Sequence, residues 1–110
     1  AEQEVILYLE SNNFKILEKN FQWKYGELDI IAQHQKDNSI HFIEVKKRNY
    51  IPEELQEILP SHKIQSLKRT AQYYTELKNF DETNIAFQFD LVIVNETGLS
   101  FFENIFELNS

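Results

Sequence analysis

Cysteine is absent from the 110 residues, and only two glycines and two prolines are present. Without cysteine there is no disulfide framework of the kind that holds small secreted domains together. So little glycine and proline leaves no flexible linker, and no apolar run approaches the ~20 residues of a membrane-spanning helix. We therefore expect one cytoplasmic domain over residues 1–110, without a secretion signal. Because a helical pattern begins directly at the first residues and no methionine precedes it, we also expect that an upstream piece is missing.

Positive charge is also scarce, since 11 Lys and Arg face 18 Asp and Glu and give a formal net charge of −7. Phosphate binding needs a cationic surface, so this balance argues at first sight against a nucleic-acid partner. The acidic excess is uneven, however, because residues 81–110 hold six acids and no Lys or Arg. The rest of the chain is nearly balanced. A local basic surface can therefore form from Lys46, Lys47, Arg48, Lys63, Lys68 and Arg69.

The hydrophobic pattern switches between helical and strand periods. It predicts a helix over residues 2–11, a strand over residues 14–25, a hairpin made of "ELDIIAQH" and "IHFIEVKK", and a strand at "IAFQFDLVIV". A second helix is predicted to begin after Ser61 as its N-cap, and "SFFENIFEL" is predicted to be a closing strand or a short helix. The order α-β-β-β-α-β indicates an α/β fold with a mixed central sheet flanked by helices.

Three charged residues interrupt the two apolar strands of the predicted hairpin. Glu44 and Lys46 are two residues apart on one strand and project from the same side, whereas Asp29 lies on the other strand. Pairing of the strands would bring Asp29 close to Glu44, where the two carboxylates repel each other. A divalent cation would relieve that repulsion, and a structural ion network at a sheet edge is the alternative. Strict alternation would also place Ile31 on the face of Asp29, and both Leu28 and Ile30 on the opposite face.

The oxygen ligands of such a pair suit Mg²⁺ or Mn²⁺, which bind one or two carboxylates and keep waters for a phosphate substrate. The cation can acidify a water and polarise a phosphoryl oxygen, while Lys46 orients the nucleophile or stabilises developing negative charge. This chemistry is phosphodiester hydrolysis.

An ordered series of motifs extends beyond these three residues and covers nearly the whole chain. Its members are Glu2 with Tyr8-Leu9, Phe14-x-Ile16-Leu17-x-x-Asn20, "GELDIIA" at 26–32, "FIEVKKR" at 42–48, Lys63-x-x-x-Leu67-x-x-x-Ala71 and "FDLV" at 89–92. The series resembles the small bacterial YraN-like proteins, and the spacing from Asp29 to Glu44-x-Lys46 resembles the PD-(D/E)xK nuclease superfamily. The resemblance implies a restriction endonuclease-like core, related to archaeal Holliday junction resolvases.

The resemblance also implies roles for individual residues. Asp29, Glu44 and Lys46 would be catalytic; Asp29, Glu44 and the backbone carbonyl of Val45 would bind Mg²⁺ or Mn²⁺. Glu2 is a candidate fourth catalytic group or else a frayed helix end. The implied activity is a metal-dependent endonuclease acting on DNA, including branched or damaged DNA in repair and recombination. Related resolvases act as symmetric pairs, so a homodimer is among the expectations.

The sequence also supports a rival of a different class. Family members commonly have a glycine in the loop after the Lys-x-Arg motif, whereas "NYIPEELQEILPSH" has none, and the last thirty residues are strongly acidic. The missing glycine leaves open the conformation of this loop and any DNA contact that it makes. The acidic charge suits a non-catalytic module that keeps the fold and binds nucleic acid or a protein partner.

Other residues carry weaker signals, each with a structural alternative. Five cations are candidates for nucleic-acid contact or for a solvated face: Lys47, Arg48, Lys63, Lys68 and Arg69. Trp23 and Tyr25 could stack on bases, although packing on the sheet is favoured. Asp90 could touch the site, although a supporting structural role is favoured. The three histidines lack metal-ligand spacing, so we predict surface roles for His34, His41 and His62.

Overall fold

A computed structural model describes residues 1–108 of the chain. The elements in chain order are α1 (Glu2–Ser11), β1 (Phe14–Trp23), β2 (Gly26–His34), β3 (Ile40–Lys47), the 3₁₀ turn η1 (Leu55–Glu57), α2 (Ser61–Lys78), β4 (Phe87–Asn95) and β5 (Gly98–Phe102). The predicted order α-β-β-β-α-β is confirmed, and the closing segment begins as a strand rather than a helix. Neither α1 nor α2 is long and apolar enough to cross a membrane.

The five strands form one mixed sheet in the order β1-β2-β3-β4-β5. β1, β2 and β3 are joined by hairpins and pair antiparallel, β3 pairs parallel with β4, and β4 pairs antiparallel with β5. A parallel pair needs a long crossover connection, and α2 provides it between β3 and β4.

The two helices cover opposite faces of the sheet, which explains why β3 reads as a nearly continuous apolar run. α1 buries Val5, Ile6 and Leu9 in one core cluster with Ile43 and Val92. α2 buries a stripe at helical spacing in the other cluster, where it meets the second face of the sheet. The members of that contact include Leu67, Ala71, Tyr74, Leu28, Ile31, Phe42 and Phe89.

The alternation predicted for β2 is wrong between Leu28 and Ile31. Leu28 and Ile31 belong to the α2-side core cluster, whereas Ile30 belongs to the α1-side cluster. The physical reason is that the regular pairing of β2 with both of its neighbours is interrupted at Asp29. On β1, Asn20 has a left-handed φ of 52°, and the β2–β3 pairing begins only at Ile30 with Ile43. Asp29 therefore lies where β2 leaves the regular pleat.

The start of α2 also differs from the prediction. The N-cap residue is Pro60, with φ −65° and ψ 162°, and Ser61 is already the first helical residue. The carbonyl of Pro60 accepts hydrogen bonds from the backbone N–H groups of Lys63 and Ile64. Proline suits this boundary because it has no N–H to leave unsatisfied. The Ser61 side chain makes no capping bond.

Candidate functional site

Strands β2 and β3 separate immediately before their first paired residues, and the site lies at this opening. The ladder runs from Ile30 with Ile43 to Gln33 with Ile40. Beyond it, Asp29 Oδ2 accepts a hydrogen bond of 2.9 Å from the backbone N–H of Val45. The side chain of Asp29 thus replaces a ladder bond, and this bond holds its carboxylate beside the backbone of β3.

Glu44 occupies the buried side of the same opening. The residue is 3% exposed, and its Oε2 lies 3.9 Å from Lys46 Nζ. Its other oxygen, Oε1, is buried without any hydrogen-bond partner. An unpartnered buried carboxylate oxygen costs free energy in a folded protein and requires an explanation.

The electrostatics of Glu44 have two opposing sources. Burial, and next the negative charge of Asp29, raise the pKa of Glu44 to about 7. The positive charges of Lys63 and Lys46 act in the opposite direction. The two cations come from different elements, since Lys46 follows Glu44 on β3 and Lys63 lies in the first turn of α2. The opening therefore brings together two carboxylates and two ammonium groups.

This donor set fits a hard divalent cation. Two carboxylates, one of them with a buried free oxygen, match the ligand number that Mg²⁺ takes from proteins when it keeps several waters. In residues 1–108, no three His, Asp or Glu side chains form a preformed metal cluster. Further ligands would therefore have to come from the backbone, from water or from a substrate.

Two more acids, Glu2 and Glu27, lie near Asp29. Burial raises the pKa of Glu2, with further contributions from the charges of Asp29 and Glu27, and a hydrogen bond from Asn20 opposes them. Glu27 Oε2 accepts a hydrogen bond of 2.6 Å from Gln22 Nε2 across the β1–β2 hairpin. Glu2 is thus within electrostatic range of Asp29, whereas Glu27 is bound by its own hairpin partner.

Of the five cations considered for nucleic-acid contact, Lys63 alone acts on Glu44. Arg48 Nη1 donates to the carbonyl of Lys47 at 2.8 Å, and Lys47 is exposed at the end of β3. Lys68 and Arg69 each lie over an aromatic ring, Phe106 and Tyr25 respectively. Of the six predicted basic residues, only Lys46 and Lys63 are therefore shown to act on Glu44. The other four lie at and just after the end of β3 or farther along α2.

The surface role predicted for His41 is wrong. Its Nδ1 lies 2.7 Å from Asp90 Oδ2 and its Nε2 lies 2.8 Å from Ser39 Oγ, and all three residues are buried. The cause is the pairing of β3 with β4, which covers the β3 strand and brings Asp90 beside it. No spacing rule in the sequence links residues 41 and 90, so sequence reasoning missed this pair. His62 is exposed, and His34 is partly buried beside Asp37.

Asp90 belongs to this second polar group and not to the Asp29 site. Besides His41, Asp90 accepts hydrogen bonds from Gln88 Nε2 at 2.8 Å and from the backbone N–H of Asn104 at 2.9 Å. Asp90 therefore has the supporting structural role that its sequence position favoured. A cavity of about 410 Å³ lies over His41 and Asp90 and includes neither Asp29 nor Glu44.

The mixed five-stranded sheet with a helix on each face makes this a protein with a restriction endonuclease-like core. The chain belongs to the family described as "Uncharacterised protein family UPF0102", whose profile matches residues 1–94. The resemblance to YraN-like proteins is thereby confirmed.

Individual relatives match almost the full length of the chain. A UPF0102 protein of Aliarcobacter butzleri (strain RM4018) is 41% identical over 106 residues, which cover 96% of this chain and 91% of the relative. A UPF0102 protein of Campylobacter hominis is 38% identical over 107 residues, covering 96% and 88%. A UPF0102 protein of Campylobacter fetus subsp. fetus is 36% identical over 98 residues, covering 89% and 82%.

Proposed function

We propose that this protein is a Mg²⁺- or Mn²⁺-dependent nuclease that hydrolyses phosphodiester bonds in DNA, including branched or damaged DNA in repair and recombination. The observation that carries the proposal is the buried, unpartnered Oε1 of Glu44 beside the carboxylate of Asp29. A purely structural ion pair would satisfy that oxygen, because leaving it unpaired costs about 1–3 kcal/mol or more. A cation held by Asp29 and Glu44 would supply the missing partner.

Each residue of the site has a role in this proposal. Asp29, Glu44 and the carbonyl of Val45 would hold the cation, with Glu2 as a fourth group. When bound, the cation would acidify a water and polarise a phosphate oxygen. Lys46 Nζ, 3.9 Å from Glu44 Oε2, orients the attacking water or stabilises the negative charge that develops on the phosphate. The bond from Val45 N–H to Asp29 holds the Asp29 carboxylate of β2 beside β3, the strand that carries Glu44.

The first test is Mn²⁺ binding and cleavage in site variants. Glu44→Gln should abolish Mn²⁺ binding by calorimetry, and Lys46→Ala should abolish cleavage of linear, single-stranded and four-way-junction DNA while binding remains. In wild type, Mn²⁺ at ten times its dissociation constant should stabilise the fold by about 1.4 kcal/mol.

A matched control is present in the same chain. Glu76 and Lys78 repeat the acid-x-Lys spacing on the exposed surface of α2, so Glu76→Gln and Lys78→Ala should leave binding and cleavage unchanged. Cleavage that survives both Glu44→Gln and Lys46→Ala would contradict the assignment.

The second candidate is a non-catalytic module that keeps the fold and binds nucleic acid or a protein partner. The six acids of residues 81–110 favour it, because they oppose general DNA binding. DNA retention that weakens with salt and occurs without cleavage, together with no stabilisation by Mn²⁺, would support this module instead.

Two further parts of the proposal concern context. A nuclease acting on bacterial DNA would work in the cytoplasm. A homodimer would present two sites to the two strands of a junction, and sedimentation analysis with and without junction DNA tests it.

A further inference from the structure

The turn between β1 and β2 carries a group of aromatic rings that packs on α2. Trp23 stacks on Tyr73 of α2, with ring centroids 4.2 Å apart and planes within 4°. Tyr25 meets Trp23 edge-on at 4.8 Å and is 40% exposed. Together with the cations Lys24 and Arg69, these three rings form what we call the stacking cluster.

The two cations of the stacking cluster converge on the same exposed ring. The guanidinium of Arg69 lies 3.7 Å from the ring centroid of Tyr25, and Lys24 Nζ lies 5.0 Å from that centroid. Within residues 1–108, neither Lys24 nor Arg69 forms an ion pair with a carboxylate. A chain with a net charge of −7 thus keeps two positive charges together on aromatic surface, without an acid to neutralise them.

Packing of the hairpin explains only part of this arrangement. The contact of Trp23 with Tyr73 fixes the turn against α2 and needs no cation. Exposed contacts between a cation and a ring are weak, and two like charges on one ring repel each other. The arrangement instead suits a ligand that brings both negative charge and flat faces. Single-stranded nucleic acid has this chemistry, because its phosphates pair with Lys or Arg while its bases stack on aromatic rings.

α2 connects the stacking cluster to the candidate metal site. Lys63, which acts on Glu44, Ser66 and Arg69 follow one another at three-residue spacing and so lie along one side of the helix. Ser66 donates a hydrogen bond to the carbonyl of Tyr25, so the helix and the turn are in direct contact. At 1.5 Å per residue, Arg69 is about 9 Å along the axis from Lys63. This distance corresponds to about three stacked nucleotides.

We infer that the stacking cluster binds an unpaired stretch of nucleic acid and leads it into the opening between Asp29 and Glu44. A base pair hides the faces that a ring would contact, so the substrate class is a single strand, or the single-stranded arm of a branched structure. This inference rests on the proposed function only in naming the bound strand as the substrate. Binding itself needs no metal and no cleavage.

The chain contains its own probe for this binding. Trp23 is the one tryptophan in the sequence, so its fluorescence reports on the stacking cluster. We would titrate oligo(dT) and oligo(U) of about 12 nucleotides into the protein in EDTA, with a duplex of equal length alongside. The expected result is quenching of Trp23 by the single strands and weaker binding, without quenching, by the duplex.

Variants then separate the cluster from general electrostatics. Tyr25→Ala should weaken single-strand binding about tenfold, and Lys24→Glu, an exposed change that does not threaten the fold, should weaken it by a similar factor. Arg69→Ala should reduce the slope of log affinity against log salt by about 0.7. Lys36→Ala is the matched control, because it removes the same charge from the exposed β2–β3 turn and should change affinity by less than about twofold.

The outcomes distinguish this inference from the proposed function. Equal affinity for duplex and single strand, or Tyr25→Ala and Lys24→Glu variants that bind like wild type, would overturn the inference even if the protein cleaves DNA. If single strands quench Trp23 and the variants weaken binding as expected, but no DNA is cleaved, the stacking cluster is supported and the proposed nuclease activity is contradicted. Folding of each variant is checked by far-UV circular dichroism.

Discussion

Glu44 is the residue whose burial conflicts most with its charge. In the metal-free protein, burial and Asp29 raise its pKa from the ordinary 4.5 to about 7, so the folded state holds the proton more tightly than the unfolded state does. The stability that this proton contributes is therefore fully present below about pH 4.5 and is lost as the pH rises through about 7. The loss is on the order of 3 kcal/mol.

The test of this pH dependence compares wild type with Glu44→Gln in EDTA. Because glutamine carries no titrating proton, the variant should lack the loss, and it should be the more stable protein at about pH 8. Urea unfolding at several pH values measures the difference between the two proteins, so that other titrating groups cancel. Parallel pH profiles for both proteins would show that Glu44 does not titrate as described. The burial of Glu44 would then carry no pH-dependent cost in stability.

The buried pair of His41 and Asp90 should stabilise the fold and take no part in the chemistry. Asp90→Ala leaves the Nδ1 of His41 and the backbone N–H of Asn104 without their acceptor, so we expect a loss of about 3 kcal/mol. The double variant His41→Ala/Asp90→Ala should lose less stability than the sum of the losses in the two single variants, because the two residues share one interaction. Chemical unfolding of wild type, the two single variants and the double variant measures these free energies. Glu96→Ala, in an exposed turn, is the control and should change stability by less than about 0.5 kcal/mol.

The same experiment also tests which polar group is the site. Mn²⁺ binding should survive Asp90→Ala at a temperature where the variant is folded. Loss of binding in a folded Asp90→Ala variant would connect the two groups and contradict their separation.

At the scale of elements, the β1–β2 hairpin and α2 are in close contact at Gly26. A Cβ at this position would clash with Ser66 Oγ and lie 3.0 Å from Thr70 Oγ1. We therefore expect Gly26→Ala to destabilise the protein by about 1–3 kcal/mol and to weaken single-strand binding, because the turn carries Tyr25. Ser66→Ala should restore part of the stability when it is combined with Gly26→Ala, since it removes the closest atom. Equal stability of Gly26→Ala and wild type would show that α2 is not held at this distance.

Elements with strong local patterns could be predicted from the sequence, and those that depend on distant pairing could not. The helix over residues 2–11 and the hairpin follow from hydrophobic period and turn residues, and both are confirmed. The change of face in β2 depends on the irregularity at Asn20 and on the point where the β2–β3 ladder begins. The burial of His41 depends on a parallel strand that is almost fifty residues away. Within the site, the motif placed Asp29 beside Glu44, but the orphaned Oε1 needed three-dimensional packing to be seen.

At the scale of the whole molecule, the exposed acids at the end of the chain lie outside the strands of the sheet. Glu82 precedes β4, Glu96 lies in the β4–β5 turn and Glu103 follows β5. β5 is two strands away from β3, the strand of Glu44, which is about 10 Å at the usual spacing, and β4 pairs directly with β3. Asp90 is buried and hydrogen-bonded within its own polar group, while Glu82, Glu96 and Glu103 are exposed. Because these three side chains face solvent, we expect them to repel a nucleic acid through solvent.

Neutralising these three acids should then change the affinity for nucleic acid and leave the cleavage rate unchanged. In the variant Glu82→Gln/Glu96→Gln/Glu103→Gln, we expect the affinity for single strands to rise several-fold at about 50 mM salt. The gain should disappear at about 0.3 M salt, because salt screens interactions beyond about 10 Å already at 0.1 M. The cleavage rate at saturating substrate should be unchanged. Fluorescence titration of Trp23 across salt concentrations and single-turnover cleavage measure the two quantities. An affinity gain that persists at high salt would instead mean that the acidic edge touches the bound strand, and the path of the strand along α2 would have to be redrawn.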